Sequence, residues 1–249
     1  MANGISGPIR WVKLFGAGLA VLAVVACTPA PRPTGFDDPF EKGNRAVHRL
    51  NKSFDRGLLK PASEAYTPVE NGAIGKGIDN FAGNLALPGM VLNNLLQLRF
   101  DKAFVNTARF ALNSTFGLAG LIDVAGQNDI NAQQTDFGET LHVWGFAEGA
   151  YIELPFFGPS TGRDAVGEVV DIVIDPIGNG APMARRVATL GVKALAKLGD
   201  RSRYGAFVDS VLYGSEDSYA QGRLLYLQSR RRDLYGGLNE LALEDPYAE

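Results

Sequence analysis

Apolar residues recur at helical spacing along most of the chain. The first such series consists of Phe40, Val47, Leu50 and Phe54. It predicts a helix that Gly57 and Pro61 should end, because glycine and proline disfavour the helix interior. The same reasoning predicts further helical segments over 74–85, 88–98, 101–115, 136–144, 165–174, 182–198, 203–213 and 216–235.

Capping signals support several of these helices, whereas strand patterns are scarce. Asp38 and Glu41 have the spacing of a capping box, as do Asp136 and Glu139, and Asp101 is placed to cap the helix that follows it. Only residues 150–157 look extended, and Pro155 argues against a central strand. We therefore predict a mainly α, single helical domain of many short and medium helices.

Polar amides are scattered among the apolar positions of these helices. They are Asn80, Asn84, Asn93, Asn94, Gln97, Asn106 and Asn113. Such a pattern suits helices that face both an apolar medium and a polar interior. It suits equally an ordinary globular protein with many capped turns, and the pattern alone leaves both readings open.

The N-terminus has the features of a lipoprotein signal. Arg10 and Lys13 precede an apolar segment over 14–26, which is too short to cross a bilayer of about 30 Å. Cys27, the only cysteine, follows directly, so the segment resembles a bacterial lipoprotein cleavage site, although a chance cysteine is the alternative. Multiple acyl chains on Cys27 would give stable anchoring, and Thr28 after it favours the outer membrane in the sorting rule that this motif implies.

These boundaries divide the chain into four parts. We predict a signal peptide over 1–26, an acylated and proline-rich tether over 27–37, a helical domain over 38–235 and an acidic tail over 236–249. The 249 residues carry a formal charge of −3, and loss of Arg10 and Lys13 with the signal peptide would change it to −5.

Charge and composition exclude several classes of function. An acidic chain without a long basic stripe is a poor nucleic-acid binder, and we expect the basic run 230–232 to be a solvated helix end. One cysteine and two histidines, without partners at metal-ligand spacing, predict neither a disulfide nor a metal site.

The segment 158–162 contains a G-x-S-x-G sequence, which raises the possibility of a serine hydrolase. A nucleophile elbow needs a base for Ser160, but His48 and His142 both precede it, and Pro159 removes an N–H at the turn. Ser160 or Thr161 could instead cap the next helix. A lipase-like hydrolase using Ser160 stays open as an alternative.

Four blocks, in order, resemble the VacJ/MlaA family of bacterial outer-membrane lipoproteins. They are DPFEKGNRAVHRLNKSFD at 38–55, NLALPGMVLNNLLQ at 84–97, ARFALNSTFGLAGLIDVAG at 108–126 and TDFGETLHVWGFAEGAYIELPFFGPSTGRD at 135–164. The last two blocks are the most specific, and the resemblance extends from about residue 38 to residue 235.

The resemblance implies a ring-like helical protein that lies in the outer membrane, around an amphipathic channel for phospholipid. It implies removal of mislocalised phospholipids from the outer leaflet and their transfer to a periplasmic MlaC-like shuttle, with the protein anchored at Cys27 and facing the periplasm. Family members associate with trimeric porins, are not enzymes and need no cofactor. A purely structural, porin-associated lipoprotein is a further alternative.

Polar residues inside these blocks are the candidate channel lining, because a headgroup needs polar partners in an apolar layer. The candidates are Arg109, Asn113, Asp123, Thr140, Arg163 and Asp164. Arg163 and Asp164 could instead cap or pair at a helix start, and Asp123 could be a turn residue. Tyr151, Phe156 and Phe157 are candidates for the apolar phase or its interface. The glycine-rich segment 117–126 is a candidate gate.

Overall fold

The computed structural model describes residues 35–178 and 182–235. The predicted signal peptide, Cys27, most of the tether and the acidic tail lie outside these residues. The described chain is mainly helical, as predicted. Its helices are α1 (Glu41–Phe54), α2 (Lys60–Glu70), α3 (Ala73–Leu96), α4 (Phe100–Thr115), α5 (Phe137–Val143), α6 (Gly162–Ile174), α7 (Met183–Arg203), α8 (Gly205–Leu212) and α9 (Ser218–Tyr235). Two strands, β1 (Tyr151–Leu154) and β2 (Gly158–Thr161), and a short 3₁₀ turn, Gly126–Asn128, complete the fold.

Two predicted helix ends are wrong, one at Gly57 and Pro61 and one before Pro88, because the helical backbone continues through these residues. A π-helical turn, Asp55–Leu59, carries the chain from α1 into α2 without a break at Gly57. Pro61 follows in the first turn of α2, so it lies within a continuous helical segment although it carries no backbone N–H. The third long helix, α3, continues through Pro88 and packs extensively on α4 and α7, so tertiary contacts outweigh the lost hydrogen bond there.

The predicted caps are partly correct. Asp136 accepts a hydrogen bond from the Glu139 N–H at 2.7 Å, and Thr161 caps α6 by accepting from the Asp164 N–H at 3.3 Å. Asp38 does not cap α1. Its carboxylate instead accepts hydrogen bonds from Asn44, Tyr219 and Arg223.

The fourth helix also begins differently from the prediction. It starts at Phe100, after Arg99 as the N-cap residue, so Asp101 lies inside the first turn instead of capping it. An acidic residue in that position still interacts favourably with the positive end of the helix dipole.

The extended segment forms one antiparallel hairpin. Tyr151 pairs with Thr161 and Leu154 with Gly158, while Phe156 at the tip has a φ of +68°. The second strand was not predicted, because GPST has no alternating pattern and contains a proline. The proline is tolerated because a two-stranded hairpin consists of edges only.

The distribution of polar and apolar side chains is inverted relative to an ordinary soluble domain. Among the described residues, 20 polar or charged residues are buried, against 8 hydrophobic ones. In the same residues, 28 large hydrophobic side chains are exposed, and the small core cluster is Tyr151, Tyr219 and Leu227. A water-soluble protein normally buries these types and pairs the few polar groups inside. No helix in the described part of the chain is both long and apolar enough to span a bilayer.

Candidate functional site: a polar interior

Polar residues along α3 and at its C-terminal cap form what we call the polar seam, which we define as Asn80, Asn84, Asn93, Asn94 and Gln97. Four of these five residues, all except Asn80, are buried. Such burial of amides is costly unless they are hydrogen-bonded or hydrated. The buried amides of the seam therefore require hydrogen-bond partners in the interior around α3.

The first end of the seam borders a cavity of about 190 Å³, which we call the polar cavity. Arg109 and Asn113 reach it from α4 and Asp123 from the loop beyond. Arg109 Nη2 lies 3.0 Å from Asp123 Oδ1, and Asn113 Nδ2 donates to the same oxygen at 2.8 Å. Burial alone would raise the pKa of Asp123, but hydrogen bonds from the Gly126 N–H, Asn113 and Arg109 lower it. The cavity thus holds a charged, hydrogen-bonded carboxylate.

The other end of the seam passes through Thr140. Its hydroxyl donates to Asn93 Oδ1 at 2.9 Å and accepts from Gln97 Nε2 at 2.9 Å. Asn93 Nδ2 in turn donates to Asp171 Oδ1 at 2.8 Å. Hydrogen bonds therefore connect α3 to α5 and α6.

Beyond Thr140 lies a second cavity, of about 270 Å³, which we call the acidic cavity. Its lining residues are Asp136, Asp164, Glu168, Asp171, Tyr226 and Arg230. Arg230 donates to Asp136 at 2.7 and 2.8 Å and to Asp164 at 2.9 and 3.1 Å. Burial raises the pKa of Asp171, whereas the pKa of Asp164 is lowered because hydrogen bonds and charge from Arg230 outweigh its burial.

Five buried polar atoms along this interior have no hydrogen-bond partner in the described chain. They are Asn84 Oδ1, Asn94 Oδ1, Gln97 Oε1, Arg109 Nε and Arg163 Nη2. Each would cost about 1–3 kcal/mol if it stayed unpaired. Folded proteins normally satisfy such groups with water or a bound molecule. The interior therefore has hydrogen-bonding capacity that the protein itself does not use.

Comparison with known proteins identifies this architecture. The sequence model of the MlaA lipoprotein family matches residues 36–233. The chain belongs to the MlaA lipoprotein family. The protein from Escherichia coli K12 called intermembrane phospholipid transport system lipoprotein MlaA is 31% identical over 246 residues, which cover 96% of this chain and 94% of that protein.

Two further matches agree with the family assignment. A Rickettsia bellii protein without an assigned function is 32% identical over 194 residues, 78% of this chain and 75% of that protein. A solved structure, described as the structural basis for maintenance of bacterial outer membrane lipid asymmetry, matches with a TM-score of 0.66 at 26% identity. The match covers 79% of this chain and 98% of that one. The fold of this chain is thus shared with a solved protein whose description concerns outer membrane lipid asymmetry.

The structure places the six predicted channel residues at the two ends of the seam. Arg109, Asn113 and Asp123 meet at the polar cavity. At the other end, Thr140 is buried beside the seam, and Asp164 lines the acidic cavity. Arg163 is also buried and pairs with Asp164 at 3.3 Å, which agrees with pairing at a helix start. That these residues line a passage for lipid stays a prediction.

The three predicted membrane-facing residues divide differently. Phe156 and Phe157 are 60% and 69% exposed at the hairpin tip, so they are accessible to an apolar phase. Tyr151 was wrongly predicted to face that phase. Its side chain is only 1% exposed, and its hydroxyl donates to Glu153 at 2.6 Å. The alternation of β1 turns it inward, away from the surface.

Sequence reasoning missed the residues that join the two ends. Asn93 and Asn94 are among the scattered amides of the sequence, and because adjacent residues of a helix point in different directions, no periodicity indicates that both are buried. Arg230 was expected to be solvated, but it forms the ion pairs of the acidic cavity, and Arg231 pairs with Glu148 at 2.7 Å. A run of three arginines gives no local sign that two of them are tertiary partners.

The predicted gate segment has a strained backbone. Leu118, Ala119 and Gly120 have φ values of 53°, 61° and 101°. Left-handed geometry costs a non-glycine residue roughly 1–2 kcal/mol. The polar seam holds the segment, because Asn84 donates to the Ala119 carbonyl at 3.3 Å and Asn80 to the Leu121 carbonyl at 3.1 Å. The strain agrees with a functional segment, and gating itself stays a prediction.

The hydrolase alternative gains no support at Ser160. This residue is buried in β2, and its hydroxyl donates to the Thr161 carbonyl at 3.4 Å. His142 contacts Arg163, and His48 contacts Glu153 and Ser218. Neither histidine is in a position to activate Ser160.

A different serine does contact His48, in an arrangement with the connectivity of a catalytic triad. Ser218 Oγ lies 3.0 Å from His48 Nε2, and Glu153 Oε1 lies 3.2 Å from His48 Nδ1. However, Ser218 is buried, and the N–H groups of Tyr219 and Ala220 that begin α9 donate to Asp217 at 3.1 Å. The N–H groups of Tyr219 and Ala220 are therefore already used and are not available to an oxyanion, and we interpret these residues as a structural hydrogen-bond network.

Proposed function

We propose that the protein is the outer-membrane lipoprotein of an intermembrane phospholipid transport system. It removes mislocalised phospholipids from the outer leaflet and thereby maintains the lipid asymmetry of the outer membrane. The names of its curated relatives support this function, as does the subject of the matching solved structure.

The observation that carries the proposal is the polar interior inside an apolar exterior. A phospholipid has one charged end and two apolar chains. Transfer of its headgroup into hydrocarbon costs several kcal/mol of free energy. The exposed hydrophobic side chains suit contact with hydrocarbon, while the polar seam and its unpaired atoms supply hydrogen-bond partners for a headgroup. No bond needs to be broken for this task.

Anchoring and partners complete the proposal. Acylated Cys27 holds the protein in the outer membrane on its periplasmic side, with the residues after it as a tether. A trimeric porin is the partner within the membrane, and an MlaC-like shuttle receives the lipid in the periplasm. The family resemblance supports both partners, and no catalytic step or cofactor is part of the mechanism.

A glycine on the wall of the polar cavity allows a direct test. Gly83 lines the cavity, and a Cβ built at this position meets no atom within 4 Å. Gly83 is exposed at the cavity wall, so we expect the leucine of Gly83→Leu to be accommodated and to obstruct the cavity without breaking a hydrogen bond. In a strain that lacks the native gene, we expect this variant to leave outer-leaflet phospholipid and detergent sensitivity as high as in the deletion.

Gly191→Leu is the matched control. Gly191 lies in α7, is exposed, and also has open space around a built Cβ, but it does not line the polar cavity. This variant should restore asymmetry as wild type does. The proposal is wrong if Gly83→Leu, present at wild-type level in the outer membrane, restores asymmetry fully.

The absence of catalysis is tested separately. Ser160→Ala and Ser218→Ala should both restore asymmetry, because the proposed transport uses neither hydroxyl as a nucleophile. Purified lipoprotein should release no fatty acid from phospholipid vesicles. Release that Ser218→Ala or Ser160→Ala abolishes would instead establish a hydrolase.

A further inference from the structure

A third cavity differs in character from the two in the polar interior. It has a volume of about 270 Å³ and lies between α1, the hairpin, α8 and α9. Its walls include Phe54, Phe156, Phe207, Val211 and Leu225. Phe54 and Phe156 pack edge to face, with ring centroids 4.9 Å apart. We call this cavity the apolar pocket, and it shares no lining residue with the polar or acidic cavity.

The polar groups at the base of the apolar pocket already have partners. Glu153 accepts hydrogen bonds from Tyr151 at 2.6 Å and Asn51 at 3.3 Å, and it contacts His48 at 3.2 Å. Asn51 Nδ2 also donates to the Leu154 carbonyl at 3.0 Å. No unpaired buried polar atom of the described chain belongs to a residue that lines this pocket. The pocket thus offers a ligand apolar contact and little else.

The pocket opens toward the apolar exterior. Phe156, Phe157 and Phe207, which border it, are 60%, 69% and 58% exposed. Exposed aromatic side chains at a hairpin tip are favoured at the boundary between hydrocarbon and water. An acyl chain could therefore enter sideways from a bilayer without crossing water.

Two cations without a carboxylate partner lie at the pocket's edge. Lys52 lines the pocket and donates to Ser218 Oγ at 3.3 Å, and Arg56, one turn later, lines a neighbouring cavity with Tyr213. Within the described residues, neither is within 4.0 Å of an acidic side chain. Both face the ring of Tyr213, at 5.5 and 5.0 Å from its centroid. Lys60 lies 5.3 Å from the same ring but pairs with Asp209, so an anion bound at Lys52 and Arg56 would reduce the remaining repulsion between the cations.

Two nearby carboxylates do not cancel this charge, because each has another partner, and Glu64, which lines a neighbouring cavity with Arg56, is exposed to solvent. Asp55, which also lines the pocket, accepts from Arg201 at 2.8 and 3.0 Å and from Tyr213 at 2.7 Å. Asp209 contacts Lys60 and Arg201, both at 2.6 Å. The free positive charge at this edge therefore belongs to Lys52 and Arg56.

We propose that the apolar pocket binds one acyl chain of a glycerophospholipid, whose phosphate lies against Lys52 and Arg56. The pocket is a second lipid site, separate from the polar interior in which the headgroup is proposed to travel. It rests on the proposed function only in requiring that the protein lie in a phospholipid bilayer. The combination of apolar walls, a lateral opening and two nearby cations without a carboxylate partner is what a phosphate-bearing lipid needs.

Cross-linking from the tail of a lipid tests the pocket. The full lipoprotein is reconstituted in vesicles that contain phosphatidylglycerol with a photoreactive group near the end of one acyl chain. After irradiation, mass spectrometry should find adducts at 207–212 and 222–225. No adduct in these segments would overturn the proposal.

Gly222 provides the variant that fills the pocket. It lines the pocket in α9, and a Cβ built there meets no atom within 4 Å. Gly222→Leu should reduce the adducts about tenfold, since exclusion of about two methylene groups changes binding by that factor. Gly191→Leu should leave them unchanged. Equal labelling of Gly222→Leu and wild type, with both folded by circular dichroism, would also overturn the proposal.

The role of the cations is tested with a neutral lipid. The double variant Lys52→Met and Arg56→Met should reduce adducts from photoreactive phosphatidylglycerol several-fold and leave those from photoreactive diacylglycerol unchanged. Excess inorganic phosphate should not compete, because it lacks the acyl chain. Equal loss of both lipids would contradict a phosphate contact.

The outcome also separates this site from the proposed function. Failure of the pocket would appear as missing adducts at 207–225 while Gly83→Leu still abolishes lipid asymmetry. Failure of the proposed function would appear as a functional Gly83→Leu variant, whatever the pocket binds.

Discussion

The polar cavity and the apolar pocket differ in the kind of chemical group that each can solvate. The polar cavity has charged walls, with Arg109 and Asp123 in contact, and adjacent amides retain unpaired atoms. The apolar pocket is larger, about 270 against 190 Å³, and the polar groups at its base are already bonded to one another. One chain therefore builds a site suited to the charged end of a lipid and a site suited to its tail.

The difference shows that burial of a side chain affects stability in opposite ways in the two regions. Around α3, buried polar groups gain stability only when charge pairs, amide networks or bound molecules satisfy them. Around the hairpin, burial of aromatic and aliphatic groups is favourable by itself. Changes that remove a partner should thus be costly in the polar interior, and changes that add volume should be favourable in the apolar pocket.

The largest effect is expected when the acidic cavity loses its arginine. Arg230→Met leaves the buried carboxylate of Asp164 without its main cation, and breaking a buried ion pair costs about 3–5 kcal/mol. Urea unfolding in detergent micelles should show this loss of unfolding free energy. Arg232→Met is the control, because Arg232 is exposed and lies 3.6 Å from Asp233, so its loss should change stability little. Similar stabilities of the two variants would contradict a partner-dependent interior.

A smaller effect separates the two cavities when each receives the same side chain. Gly83→Leu and Gly222→Leu both gain helix propensity, about 0.5–1 kcal/mol relative to glycine. In the apolar pocket, the leucine also buries apolar area worth about 1–2 kcal/mol, whereas in the polar cavity it displaces groups that solvate polar walls. The melting temperature should therefore rise more for Gly222→Leu, with Gly191→Leu between the two. The opposite order would remove the distinction between the cavities.

Acid should destabilise the polar interior through Asp164. The pKa of Asp164 is lower in the folded protein than in the unfolded chain, because hydrogen bonds and charge from Arg230 outweigh its burial. Its contribution is thus complete above the unfolded pKa of about 4 and is lost as pH falls through the folded pKa. Asp164→Asn should be less stable than wild type at pH 7, and the gap should narrow below about pH 4. A constant gap would show that Asp164 does not act through its charge.

The smallest effect concerns the strained segment beside the polar cavity. Ala119 has a φ of 61°, so Ala119→Gly should relieve strain and stabilise the protein by at most about 1 kcal/mol. Ala111→Gly, in the middle of α4, should destabilise by about 1 kcal/mol. The same substitution should thus change the free energy of unfolding in opposite directions at the two positions, and urea unfolding can measure both changes. Equal signs would argue against strain at Ala119.

Local patterns predicted the helices well, because apolar spacing and caps act within a few residues. Asp136 and Thr161 cap the helices expected of them. Gly57 and Pro61 were misjudged because their effect depends on position, in a π turn and in a first helical turn respectively. Tyr151 was misjudged because alternate residues of a strand face inward. Which alternate set faces inward depends on the tertiary packing of the strand, and the local sequence does not show it.

The candidate site was only partly accessible from sequence. The family resemblance led to Arg109, Asn113 and Asp123, which do meet at one cavity. Arg230 joins Asp136 and Asp164 across 94 and 66 residues of chain, and no local pattern encodes such a distance. The apolar pocket likewise forms between four elements, so no pattern within a single segment predicts it.

The most direct test of the polar interior uses a phospholipid with the photoreactive group on its headgroup. The full lipoprotein is irradiated in vesicles that contain this lipid, and the labelled residues are identified by mass spectrometry. The account predicts adducts within 80–97 and 109–123 for wild type, and their loss in Gly83→Leu but not in Gly191→Leu. Headgroup adducts confined to the exposed apolar faces, or unchanged in Gly83→Leu, would contradict it.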